Sequence, residues 1–95
     1  MTTTDALAWV LDSHLEVTRL YRIAIEREIW HTRRIYSGTL RDDVRRALKA
    51  SINDIRIPDY PKPDNRELVA SVYNKVPKPN FEKIKQEYLD EINTY

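Results

Sequence analysis

From the first residue to Ser37 the chain contains neither glycine nor proline, and Gly38 is its only glycine. A stretch that long without a helix breaker leaves little but a long α-helix. Its apolar residues agree. Leu7, Leu11, Leu15, Thr18, Ile25, Ile29 and Tyr36 trace one face at spacings of three, four and seven. Val10, Val17, Leu20, Ala24 and Ile35 widen that face beyond a single stripe. The spacing predicts a first helix over 5–36, about 48 Å long, capped by Thr4 with Asp5 in its first turn. A face that wide calls for two neighbours.

Gly38 suits the helix stop, and Thr39 followed by Asp42 resembles a capping box. A second helix is expected over 40–55, with Leu40, Val44, Ala47, Leu48, Ser51, Ile52 and Ile55 inward. Arg41, Arg45 and Lys49 recur every four residues and form a basic ridge beside that face. Pro58, Pro61 and Pro63 then impose extended backbone. Asn65 or Asp64 can cap a helix over 66–76, with Leu68, Val69, Val72, Tyr73 and Val76 apolar. A second Pro-Lys-Pro, at 77–79, repeats the device. Asn80 can cap a last helix over 81–93, with Phe81, Ile84, Tyr88, Leu89 and Ile92. The expected fold is all-α: residues 1–56 a helical hairpin, residues 57–95 a proline-punctuated segment with two short helices.

Size and charge narrow the function. A chain of 95 residues buries only about 60–65% of its unfolded surface, so a partner can contribute to its stability. Mean hydropathy is −0.66, and no apolar run reaches the roughly 20 residues needed to span a bilayer. There is no cysteine, which excludes disulfides, thiolate zinc sites and a cysteine nucleophile. The N-terminus is acidic and shows no secretory or arginine-rich targeting pattern; organelle targeting would be internal or already removed. The net charge of +1 hides a gradient. Residues 1–16 carry three acids and no base, residues 17–50 nine Arg or Lys against four acids, and residues 51–95 seven against eight. The basic middle fits an acidic partner.

Catalytic signals are absent. No glycine-rich phosphate loop occurs, and two histidines without a strand–turn–helix context make no triad. Glu28 and His31 have the spacing that carboxylate-bridged metal bundles use twice. Here it occurs once, and His14 lies about 25 Å away along the helix. The pair is a weak metal candidate whose simpler reading is an ion pair and a helix-edge imidazole. Arg41, Arg45, Arg46 and Lys49 could meet phosphates, but a domain at +1 argues against nucleic acid. A helical interaction module without lipid stays open; Tyr36-Ser37-Gly38 resembles the turn of small secreted helical hairpins.

The segment Val17-Thr18-Arg19-Leu20-Tyr21-Arg22, followed by Ala24 and Ile25, resembles the signature of the LYR-motif proteins. Twenty-four residues after Leu20, the segment Val44–Ser51 is similar to that family's second-helix pattern of aliphatic, Arg, two free positions, Phe, Arg, a free position and Asn. Val44 and Arg45 keep it; Leu48, Lys49 and Ser51 depart from Phe, Arg and Asn. The resemblance covers about residues 15–55. It implies a three-helix core and a non-catalytic mitochondrial accessory subunit, in the matrix or on the matrix side of the inner membrane. The implied partner is the acidic mitochondrial acyl carrier protein, whose acyl-4′-phosphopantetheine would enter the helical core. Arg22, Arg41, Arg45, Arg46 and Lys49 would grip the carrier. Leu20, Tyr21, Ala24, Ile25, Val44 and Leu48 would line the acyl tunnel. The proline-punctuated segment would link the pair to a larger assembly, respiratory complex I foremost.

Overall fold

A reciprocal cap opens the chain. Thr2 Oγ1 accepts from the Asp5 backbone N–H, and Asp5 Oδ2 accepts from the Thr2 N–H. This is a capping box with aspartate in the glutamate role, two residues ahead of the expected Thr4 cap. The computed structural model describes residues 2–95. Behind the cap, α1 runs unbroken from Thr3 to Ile35, about 50 Å at 1.5 Å per residue. It spans nearly the whole molecule, whose extents are 53 × 19 × 17 Å. A compact chain of this length would have a radius of gyration near 12 Å; this one has 17.2 Å. The fold is a spine with shorter helices laid along it.

Gly38 turns the chain at φ +84°, a conformation open to glycine at no steric cost. Leu40 is already buried before the second helix begins. The extended backbone of Arg41 follows it, so α2 starts at Asp42 and ends at Asn53. The expected start at residue 40 with a Thr39 cap is thereby corrected: Arg41 holds the cap position without a side-chain capping bond. Asp42 and Asp43 in the first turn oppose the helix dipole instead.

The other two caps fall where the sequence expects them. Asn65 Oδ1 accepts from the Leu68 N–H and Asn80 Oδ1 from the Lys83 N–H. They open α3, Arg66–Tyr73, and α4, Phe81–Ile92. α3 stops three residues short of the expectation, and Val76 is buried from the turn beyond it.

Two separate apolar cores result. Towards the C-terminal end of α1, Tyr21, Ile25 and Ile29 meet Leu40, Leu48 and Ile52 of the α2 arm and Ile84 and Ile92 of α4. Phe81 stacks edge-on to Tyr21 at 5.5 Å, Tyr88 bonds Glu26, and the Arg33 guanidinium lies 4.2 Å over the Tyr95 ring. These partners advance together, so α4 runs parallel to α1. Towards the N-terminal end, Ala6 and Val10 meet Val69, Val72 and Val76. Among the described residues α3 touches no helix but α1.

The buried stripe of the N-terminal half is Ala6, Val10, Ser13, His14 and Val17. The expected face led with Leu7, Leu11 and Leu15, but Leu11 and Leu15 are exposed. Both sets have helical spacing; the one that α3 and the Tyr60 segment cover is the one buried.

Candidate functional site

Three successive residues on a helix point 100° apart, so the Leu20-Tyr21-Arg22 triplet cannot act as one surface. Tyr21 enters the core. Arg22 turns to α4 and borders a groove with Glu87, Tyr88 and Glu91. Leu20 stays outside, 38% exposed, and packs in no core cluster. Ala24 is half-buried and Ile25 wholly buried. From α2, Leu48 joins the same core and Val44 packs against it. Of the six expected lining residues, Tyr21, Ile25, Val44 and Leu48 therefore converge; Leu20 does not.

The arginine ridge divides. Arg41 lies before α2 and pairs with Asp43 at 2.9 Å in solvent. Arg45 is the most engaged cation. Its Nη1 donates to Asp42 Oδ1 at 3.0 Å, and its Nη2 to the carbonyls of Leu40 at 3.1 Å and Tyr95 at 2.7 Å. Its Nε is buried without a partner. Lys49 Nζ donates to Asn93 Oδ1. Arg45 and Lys49 thus strap α2 to the residues that end α4. Arg46 is exposed and in no ion pair among the described residues. At Arg45 and Lys49 the ridge is already engaged within the chain, through the Arg45 Nη groups and the Lys49 Nζ.

Two open grooves flank the larger core. One, about 330 Å³, runs between α1 and α2 past Thr32, Tyr36, Val44, Ala47 and Leu48, with Asp43 its one charged wall. The other, about 540 Å³, lies between α1 and α4 and is bordered by Ile29, Trp30, Arg33, Tyr88 and Tyr95 together with Glu26 and Glu91. The second has no counterpart in the sequence reading, because nothing in the spacing of residues 81–95 says which helix they join.

A polar knot lies between the cores. His14 is buried, its Nδ1 2.7 Å from the Tyr60 hydroxyl and its ring 5.5 Å from that of Tyr73. Burial pushes the imidazole pKa down, with the nearby Lys78 charge adding to the effect. Among the described residues the Nδ1 bond to Tyr60 is the ring's one hydrogen bond, and its Nε2 is buried without a partner. Glu28 makes no ion pair among the described residues, and the His31 ring rests 5.3 Å from that of Trp30. No group of three or more His, Asp or Glu among the described residues is placed to hold a metal ion. No described helix is long and apolar enough to cross a membrane.

No family model matches the chain, and neither curated proteins nor solved structures yield a match.

Proposed function

We propose that this chain is a non-catalytic adaptor that binds an acylated mitochondrial acyl carrier protein and anchors it in a larger assembly, respiratory complex I being the first to test. One observation carries the reading. Two segments far apart in sequence, Tyr21–Ile25 and Val44–Leu48, meet in a single core beside an open groove. An acyl chain entering there would gain about 0.8 kcal/mol per buried methylene.

The core is filled by Phe81, Ile84 and Ile92 of α4, so entry requires α4 to yield. The strap sets the terms of that exchange. Acids or the phosphate of the carrier would replace Tyr95 and Asn93 as acceptors for Arg45 and Lys49. The cations that now hold α4 would then hold the carrier, and rim charges of this kind mainly set orientation and on-rate.

A second reading is favoured by the same strap. With Arg45 and Lys49 engaged internally and the core closed, the chain also fits a helical interaction module without lipid. Native mass spectrometry of the chain co-expressed with a mitochondrial acyl carrier protein separates the two. The adaptor reading expects a one-to-one complex bearing an acyl-phosphopantetheine mass, weakened by Arg46→Glu, which touches no internal bond. A folded chain that ignores the carrier overturns it in favour of the lipid-free module.

A further inference from the structure

The side of α1 turned away from the other helices carries an ordered line of exposed residues: Asp12, Glu16, Arg19, Ile23, Arg27, Trp30 and Arg34. Their steps are four, three, four, four, three and four, so they stay on one face of the helix. The line is symmetric in position about Ile23, and its two ends, Asp12 and Arg34, are opposite in charge. Acids stand at its N-terminal end, and Arg27 and Arg34 at its C-terminal end are in no ion pair among the described residues. Apolar surface lies along it: Trp30 is 56% exposed, Ile23 36%, and Leu15 at the margin 61%. The Arg34 guanidinium sits 5.1 Å over the Trp30 ring, and an open groove of about 390 Å³ runs past Ile23, Arg27, Trp30 and His31.

We propose that this face is the interface for a second copy of the chain, packed antiparallel with its two-fold axis at Ile23. A two-fold interface must be self-complementary, and the ends of this line are, Asp12 being placed to meet Arg34. Antiparallel pairing about Ile23 sets Asp12 of each copy against the other copy's Arg34, eleven residues either side of the axis, about 16 Å along the helix. Glu16 meets the other copy's Trp30 between Arg27 and Arg34. Ile23 meets itself. The one like-charge juxtaposition is Arg19 with the other copy's Arg27. It is relieved because Arg19 is already held by Glu16 through two bonds of 2.7 and 3.1 Å, which brings a carboxylate to the same spot. Parallel pairing would set acids on acids and arginines on arginines. A flat anionic membrane fits less well, since Asp12 and Glu16 share the face. Trp and Arg are the residue types that dominate interface energetics.

The interface is one helix seam, at the small end of the range, so the dimer is weak and salt-sensitive. It does not depend on the carrier-binding reading, which uses the α1–α2 groove, where no residue of this line lies; Trp30 is the one residue of the line that also borders the α1–α4 groove.

Sedimentation velocity across a concentration series tests it on the whole chain. The expected result is a monomer–dimer equilibrium that Trp30→Ala weakens by roughly tenfold or more. Asp12→Lys and Arg34→Glu should each weaken it, and the two together should restore it, because the pair is re-formed with its polarity reversed. All these positions are solvent-exposed, and circular dichroism checks that each variant stays helical. With no cysteine in the chain, Ile23→Cys should form a disulfide-linked dimer on oxidation, while Glu87→Cys on α4 should not. A chain that is monomeric up to about 1 mM, a concentration that would still reveal an interaction of only ~4 kcal/mol, overturns the proposal. So does a dimer indifferent to the Asp12 and Arg34 exchange.

Discussion

The two halves of α1 solve the same problem with unequal means. The C-terminal half is covered by two helices and closes a core built on Ile25, Ile52 and Ile92, all fully buried. The N-terminal half is covered by α3, eight residues long, through three buried valines, and by the extended segment through Tyr60. A fully buried isoleucine contributes about 1.5–3 kcal/mol; valine is one methylene smaller. Helices as short as α3 are marginal in isolation. One continuous helix therefore joins an end packed through buried isoleucines to a light end packed through buried valines, and local opening should begin at the light end.

Chemical denaturation of single-site variants sharpens that contrast. Ile25→Ala should have the largest effect, a loss of about 2–5 kcal/mol, seen as an earlier unfolding midpoint for the whole molecule. Arg45→Met should follow at about 1.5–3 kcal/mol, typical for hydrogen bonds to a charged group. Hydrogen exchange should report it first in the last turn of α4. Val72→Ala removes two methyl groups at about 0.8 kcal/mol each. Its exchange signature should stay in α3 and the first turns of α1. If Val72→Ala instead speeds exchange in α2 and α4 equally, the halves are one cooperative unit and the comparison fails.

The caps make a smaller matched pair. Asn65→Ala and Asn80→Ala should each cost about 1 kcal/mol, but the first should melt α3 locally while the second lowers global stability. Smallest is the pH response of the light end. His14 is held neutral in the folded chain, with its pKa below the ordinary value, so the unfolded chain binds the extra proton. Its contribution is fully present above about pH 6.5 and is lost as pH falls through the lower folded value. Acidification from neutrality should loosen α3 first. His14→Gln should flatten that dependence in exchange measured over a pH series.

Much of the fold was legible. The glycine and proline punctuation, and Asn65 and Asn80 ahead of apolar runs, mark three of the four helix starts and stops within a few residues. The all-helical class follows from them. What failed was the leading edge of the face in the first turns of α1, although Val10 and Val17 were counted within it. Leu7-Leu11-Leu15 and Ala6-Val10-Ser13-Val17 are both valid helical stripes, and the larger residues belong to the one left partly in solvent. Burial there is decided by α3 and the segment through Tyr60, which arrive from more than forty residues away. The candidate site shows the same limit. Periodicity on α2 correctly marked Leu48 and Val44 as inward. It could not show that Arg45 and Lys49 would find acceptors at Tyr95 and Asn93, because that depends on where α4 comes to rest.

The spine also governs how the molecule moves through water. A particle of 53 × 19 × 17 Å meets far more friction than a sphere of its mass, so a sizing column will report it as too large. Side-by-side pairing about Ile23, four residues from the midpoint of α1, would thicken the rod while lengthening it by only about 12 Å. The paired form would therefore be less asymmetric than the single chain. Its frictional ratio should fall on association, whereas end-to-end joining would raise it.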